Sequence, residues 1–421
     1  MAMSWSLGST TRFWELSELD TIVFQMHLDI NQSIEELFEN HFKDLTLDDL
    51  IISPISGGQT AADEALSNFK VAGYAQNRSQ VLPESTRGAS VLSPYIRHNL
   101  LPLQRVWESI GGPSKDVSKF QDELLWQEYA RHLYARVGTD LFENFRFEVP
   151  WKTDGYGWRR EMLCIDTVVS ELEQTGWLVN QSRMWLASEW TVHNSEGWLA
   201  GQEIFYQHLL DGSRAANLAG WQWTVGSGTG RPYGFSRWQV NKRAPGLCAK
   251  CPLNKNCPVE NFPEEQQLPR LEKHPLIEND PNPHLTAGPM RVIEREAPEA
   301  VYLTIESLGD ADKAMQANPD LPVVFVFNKP ELEKLQLSSK RIVFYLQTLK
   351  DLATRKDLRV YLGDPKQIIS EGKYAVTYAP VPSFQKFRGL FAEVHPWPWL
   401  RVPHAGSVRS FSAWRAKLSS R

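Results

Sequence analysis

The sequence predicts an all-α body followed by a small α/β domain built on a parallel sheet, and three observations predict it. Up to about residue 245, long apolar-periodic segments follow one another and recognisable strands are almost absent. A Pro- and charge-rich stretch, 258–298, then breaks the pattern. Beyond it, short β-branched runs alternate with helical ones.

Taken in order, the apolar periodicity predicts helices over 58–71, 118–137, 161–175 and 181–194. The stretch 258–298 reads as a linker or an irregular crossing segment, because its prolines and charges support neither period. Strands follow at 301–305 (VYLTI), 323–327 (VVFVF), 358–362 (LRVYL), 374–379 (YAVTYA) and 390–394 (LFAEV). Between the second and third, Ile342, Leu346, Leu349 and Ala353 recur at helical spacing. Strand–helix alternation of this kind argues for a parallel sheet with helices on its faces. The chain therefore divides into a helical domain (1–257), a linker (258–298), an α/β domain (299–403) and a C-terminal tail (404–421). No internal repeat or low-complexity segment is evident.

Composition narrows the function classes. An apolar fraction of 42% in 421 residues suits a two-domain globular chain. No basic-then-apolar leader opens the chain, and no run approaches the roughly 18 apolar residues of a membrane span. A cytoplasmic location without membrane contact is the expectation. The net charge of −5 gives no overall pull toward nucleic acid, so any such site must be a local basic patch. Sixteen tryptophans are an excess, which usually means core and interface packing. Three of the four cysteines, Cys248, Cys251 and Cys257, lie within ten residues, and Cys164 is the fourth. Four are too few for a disulfide scaffold in a chain this long, which leaves metal or redox chemistry.

Four further stretches carry chemistry. They are Arg87-Gly-Ala-Ser-Val-Leu-Ser-Pro-Tyr95, Glu123-Leu-Leu-Trp126, Thr175-Gly-Trp-Leu-Val-Asn-Gln-Ser-Arg-Met184 and Asp211-Gly-Ser-Arg-Ala-Ala-Asn-Leu-Ala-Gly-Trp-Gln-Trp223. Together, and in this order, they resemble the flavin-binding domain of the photolyase/cryptochrome family. The usual Asp-Gly-Asp-Leu-Ala-Ala-Asn-Asn reads Asp-Gly-Ser-Arg-Ala-Ala-Asn-Leu here, and the usual Trp-Arg-Glu/Asp reads Trp126-Gln127-Glu128. Joined to the order read from the pattern along the chain, the resemblance implies an all-α FAD-binding domain followed by a small Rossmann-like α/β domain with a parallel sheet.

The resemblance implies a set of FAD-binding residues, and the chemistry suits them. A pyrophosphate needs hydroxyl and backbone N–H donors on a small-residue turn entering a helix, which Ser90, Leu92 and Ser93 supply. Arg183 and Asp211 fit an ion pair beside the flavin, and Asn217 an amide against its N5. Tyr74 and Asn180 complete the implied lining. Trp221 and Trp198 correspond to the inner members of the family's electron-carrying tryptophan chain, with Trp158 or Trp151 outermost. The bland alternatives are a capped helix start, a structural salt bridge, a helix-surface amide and core packing.

A subgroup of bacterial members carries four cysteines in this domain, and the resemblance implies that Cys164, Cys248, Cys251 and Cys257 hold a 4Fe–4S cluster. Zinc accepts the same four ligands and is the rival, with unligated thiols a third reading. The family's order is α/β domain first, so the chain resembles a circular permutant. An α/β part of about 105 residues leaves the antenna pigment unknown.

For substrate, Glu123, Trp126, Met184 and Trp223 match the lesion pocket of cyclobutane-dimer photolyases. Two aromatic walls can sandwich a flipped dinucleotide while a carboxyl bonds its base edges. Val179 and Met184 stand where (6-4) enzymes require a histidine. Arg231, Arg237, Lys242 and Arg243 form a basic run after the pocket, and such runs are usually solvated. The expected function is light-dependent repair of UV-damaged DNA carrying pyrimidine dimers. The alternatives are a cryptochrome-like photoreceptor, kept open by Ser213, Leu218 and Gln127, or a flavoprotein without photochemistry.

Overall fold

A computed structural model describes residues 25–151 and 157–418. The N-terminal stretch 1–24, where no leader was read, and the last three residues of the tail lie outside the described residues.

Seven strands form one sheet: β1 (Met26–Leu28), β2 (Ile293–Glu294), β3 (Ala300–Leu303), β4 (Val323–Asn328), β5 (Leu358–Gly363), β6 (Tyr374–Thr377) and β7 (Glu393–His395). Their order is β1-β5-β4-β3-β6-β7-β2. The inner five are mutually parallel, in register Val301 to Val323 and Val301 to Ala375. The two edges, β1 and β2, pair antiparallel. All five strand runs read from the sequence are present. Two strands were not read: β1 lies in the part expected to be nearly strand-free, and β2 in the crossing segment. They have three and two residues, and only Leu28 is buried, too little for a period-2 signal.

Alternation on the inner strands sends side chains to two apolar layers. Val301, Leu303, Val323, Phe325 and Phe327 join the core shared with the helical body. Ala300, Tyr302, Val324 and Val326 pack on the opposite face with Tyr378 and Phe391. Burial on both faces is what a parallel sheet requires.

The helices that build the body are α1 (Gln59–Asn68), α2 (Ser114–Val137), α3 (Leu163–Thr175), α4 (Asn180–Ser188), α5 (Trp198–His208), α6 (Arg214–Thr224) and α7 (Arg237–Arg243). Helix α8 (Ser339–Ala353) lies between body and sheet, and short α9 (Phe411–Arg415) ends the described chain. On α2, Phe120, Leu124, Leu125, Tyr129, Leu133, Tyr134 and Val137 are buried, the spacing that predicted a helix there. Helix α3 ends at Gly176, whose φ of +68° is left-handed, and a Cβ there would meet the His208 carbonyl at 2.9 Å. This turn aims the next residues into α4. Ser213 caps α6 by accepting from the Ala216 N–H. Helix α4 runs on into a π-helical turn, Glu189–His193.

Sheet and body are tied by polar contacts as well as core. Arg97 grips Glu306 through two nitrogens at 2.5 and 2.8 Å, and Asp351 receives the Gln59 backbone N–H at the start of α1. The segment 258–298 holds two helical turns, Pro275–Glu278 and Pro283–Thr286, and the edge strand β2. The tail returns to α2, where Trp414 Nε1–H donates to His132 Nδ1 at 3.0 Å and the Arg401 N–H donates to Glu128. Among the described residues, no helix is long and apolar enough to cross a membrane.

Candidate functional site

Helices α3, α4 and α6 converge on one polar constellation. The turn after α3 places Arg183 so that Nε–H donates to the Leu178 carbonyl at 3.0 Å. Its two terminal nitrogens then clasp Asp211 at 3.1 and 2.7 Å. This end-on fork uses both terminal nitrogens, and with Nε–H it engages three of the guanidinium's five donors. Asp211 is buried, while the Arg183 side chain keeps 22% exposure, so the positive face stays reachable.

One turn into α6, Asn217 is buried and its Nδ2 has no hydrogen-bond partner among the described residues. The same is true of Trp221 Nε1 one helical turn on, and of Ser182 Oγ on α4. Buried donors are rarely left unpaired, since each costs about 1–3 kcal/mol. A cluster of them beside an ion pair marks a place shaped for a polar ligand.

The turn 87–93 is fixed to the same helices. Arg87 bonds Glu171 of α3 at 3.1 Å, and Trp177 Nε1–H donates to Ser93 Oγ at 3.0 Å. Within it, Val91 sits at φ +56°, a left-handed conformation that costs a β-branched residue strain. Ser90 Oγ accepts from the Leu92 N–H at 3.4 Å. Tyr74 is buried between Phe69 and Phe120, and burial holds its phenol pKa well above the ordinary range. Asn180 is exposed and donates to the Met184 sulfur at 3.6 Å. Serine hydroxyls, a fixed cation and an unpaired amide N–H together fit a flavin dinucleotide: donors for a pyrophosphate and a donor for a ring nitrogen.

The expected tryptophans lie in two surroundings. Trp221 packs edge-on against Phe205 at 5.2 Å, and Phe205 meets Trp158, which lies 4.9 Å from Trp190. Gly201 makes this closeness possible: a Cβ there would meet Trp221 at 2.3 Å and Trp190 at 3.1 Å. Trp198 is buried and donates to Asn144, and Trp151 is buried. Trp190 and Phe205 were missed, though glycine four residues before Phe205 on a helix was a usable sign of close ring packing.

The four cysteines line one small cavity, together with Met162, Arg237 and several apolar side chains. The Leu163 N–H donates to Cys251 sulfur at 3.4 Å, and Cys248–Cys251 and Cys251–Asn254 form successive turns. Burial pushes the Cys164 thiol up to about 12, with the other three sulfurs adding to the shift. Among the described residues, no group of three or more His, Cys, Asp or Glu side chains is placed to hold a metal ion. The sulfurs surround a space.

Of the expected lesion pocket, Trp126 and Trp223 are exposed aromatics at 39% and 41%. Glu123, however, bonds Arg78 at 3.3 Å and Lys119 at 2.8 Å. Trp126 is stacked by Phe411 of α9, centroids 4.0 Å apart and planes 11° from parallel. Trp223 lies against Tyr233, whose hydroxyl bonds Gln181 of α4, three residues before Met184. The basic run is dispersed: Arg237 is held by Glu260 and Asn254, and Lys242 lies over Trp238.

Residues 120–239 match the family described as the FAD binding domain of DNA photolyase. Among curated proteins, the deoxyribodipyrimidine photo-lyase of Thermus thermophilus is 34% identical over 184 residues, covering 41% of this chain and 43% of that protein. That of Synechococcus is 26% identical over 193 residues, covering 42% and 40%. The chain thus spans about two fifths of the length of these relatives. Among solved structures, a class III photolyase from Agrobacterium tumefaciens has 24% identity and a TM-score of 0.35, with 46% of this chain and 40% of that one covered. A Synechocystis cryptochrome has 21% identity and a TM-score of 0.41, with 47% and 46% covered.

Proposed function

We propose that this chain is a light-dependent DNA repair flavoprotein of photolyase type, splitting cyclobutane pyrimidine dimers. The observation that carries the reading is the Arg183–Asp211 fork beside the unpartnered Asn217 amide, inside the segment that matches the flavin-binding domain. Bound FAD would supply a light-excitable one-electron donor, chemistry no side chain here offers. The chain's part is to hold it: Ser90 and Ser93 with the Leu92 backbone on the pyrophosphate, Arg183 as fixed positive charge, and Asp211 orienting that arginine. Asn217 Nδ2–H would donate to the flavin ring nitrogen nearest it. Tyr74, Asn180, Trp198 and Trp221 would complete the walls.

Trp223 and Met184 would form one side of the lesion pocket and Trp126 the other, with Glu123 bonding the flipped bases. The reaction is redox-neutral overall, because the electron lent to the dimer returns once two carbon–carbon bonds have broken. The substrate partner is damaged DNA in the cytoplasm.

The cysteine cavity is the place we assign to a 4Fe–4S cluster. What supports a metal centre here is that all four sulfurs line one cavity with apolar groups and one accepts a backbone N–H; zinc, which takes the same four ligands, is the rival. Helices preceding a sheet with inner order 3-2-1-4-5, a Rossmann-like order, support the permuted arrangement and the division into domains at 257, 298 and 403.

One observation favours a second reading, a photoreceptor without repair. Glu123 and Trp126, both assigned to the lesion, have partners within the chain. The two separate cleanly by experiment. Protein with reduced FAD should restore a thymine-dimer oligonucleotide under blue light and not in darkness. Trp223→Ala should weaken dimer binding by about 1–3 kcal/mol, the cost of one base–aromatic stack. Light-driven flavin reduction without any dimer splitting, on single- or double-stranded DNA, would sink the repair reading.

A further inference from the structure

The basic residues that stand out in the structure are not the ones that stand out in the sequence. Phe147 lies between Arg146 and Arg270, whose guanidinium carbons sit 5.4 and 5.5 Å from its ring centroid. Arg270 is carried there by the bridge pairing Phe147 with Arg270 across the crossing segment. Arg146 Nη1–H donates to the carbonyls of Gly228, at 2.8 Å, and Arg409, at 3.2 Å. Arg146 thus meets the Arg270 side chain around Phe147 and the backbone of Arg409, whose own guanidinium bonds Glu278 at 3.4 Å. Burial lowers the Arg146 pKa first, and the charges of Arg270 and Arg409 lower it further. Glu278 is shared by Arg409 at 3.4 Å and Lys273 at 3.7 Å, so the cations outnumber this counter-ion.

Gathering like charges costs free energy, in a chain whose net charge is −5. The cost is offset when an anion binds. The cluster also borders an aromatic wall. Arg146 is within electrostatic reach of Tyr129, which meets both Trp126 and Phe411 edge-on at 5.9 Å. Phe411 and Arg409 belong to one short segment, anchored by Trp414 on His132 and by Arg415 on Asp122 at 2.8 Å.

We infer that Arg146, Arg270 and Arg409 form a cradle for the phosphodiester backbone of a nucleic-acid strand, and that the C-terminal segment 409–415 is a built-in part of that site. Planar guanidinium forks suit phosphate oxygens, and exposed aromatic faces beside them suit bases. The inference deepens the repair reading and rests on it for the choice of nucleic acid over other polyanions. It gives the segment 409–415 a role: Arg409 supplies charge and Phe411 backs one face of Trp126, leaving the other for a base.

The test is run in darkness on undamaged single-stranded oligonucleotide, so that it does not depend on flavin chemistry. Fluorescence anisotropy is measured for full-length protein over a series of salt concentrations. Arg270→Ala and Arg409→Ala should each weaken binding several-fold and lower the salt slope by roughly 0.7, the value for one phosphate contact on a single strand. Arg359→Ala, at an exposed pair with Asp357 in the sheet domain, should change neither. Inorganic phosphate should compete no better than chloride at equal ionic strength. Wild-type slope and affinity in both cluster variants would overturn the inference, as would an equal loss in Arg359→Ala. Saturable displacement by inorganic phosphate would assign the cradle to a free anion instead. Tight dark binding without dimer splitting would leave the cradle standing and remove only the repair reading.

Discussion

The sheet region and the helical body treat their buried polar groups differently. In the sheet region, Asp312 is buried and satisfied twice over, accepting from Ser307 Oγ at 2.5 Å and the Met315 N–H at 2.9 Å. Arg341 and Lys340, also buried on α8, are bonded to Tyr345 and Ser338. In the body, unpartnered buried atoms crowd one stretch: Ser182, Trp185, Ser188, Glu189, Gln202, His208, Asn217 and Trp221. The sheet region leaves only Thr304 Oγ1 and Trp397 Nε1 unpartnered among its described residues, so the difference is one of density, and the density in α4 to α6 is what a ligand would relieve. Folded chains rarely tolerate such a cluster unless something else fills it.

The largest expected effect concerns the cysteine cavity. If the four sulfurs hold a cluster, anaerobically purified protein should carry about four irons per chain. Cys251→Ser should remove the iron and cost several kcal/mol of stability, because metal binding free energy is folding free energy. Stoichiometric zinc without iron would reject the assignment.

Next comes a matched pair of substitutions. Asn217→Leu removes an unsatisfied buried amide, so FAD-free protein should gain roughly 1–2 kcal/mol while FAD binding weakens. Asp312→Leu does the opposite kind of damage, stranding two donors, and should cost about 2–3 kcal/mol with flavin binding unchanged. Urea unfolding with and without FAD measures both. Equal losses in the two variants would break the comparison.

The smallest effect is a pH dependence. Burial pulls both His193 and His208 from 6.5 to about 4, with Lys340 adding to the shift of His208. Each is neutral when folded, whereas the unfolded chain takes up protons as pH falls below 6.5. Their contribution is therefore fully present above pH 6.5 and is lost progressively down to about pH 4. The thermal midpoint should fall across that window, less steeply in His208→Gln.

The two regions were also unequally legible. The inner strands announced themselves because both faces are buried, giving continuous β-branched runs. The edge strands β1 and β2 carry too few buried residues for any pattern. In the site, the fork of Arg183 and Asp211 was implied by the family resemblance that two local motifs carry. Phe411 on Trp126, and Arg270 and Arg409 beside Arg146, join residues far apart in the chain. No local period records such contacts. Trp190 was hidden for a similar reason, since only the gap at Gly201 brings it to Trp221.

The central claim, that the helical body is completed by flavin, is tested most directly by hydrogen exchange on the whole chain with and without FAD. The account predicts one FAD per chain. It also predicts added protection concentrated in 87–97, 176–188 and 211–224, with β3 to β6 unchanged. Absence of flavin binding, or protection spread evenly over sheet and helices, would contradict it.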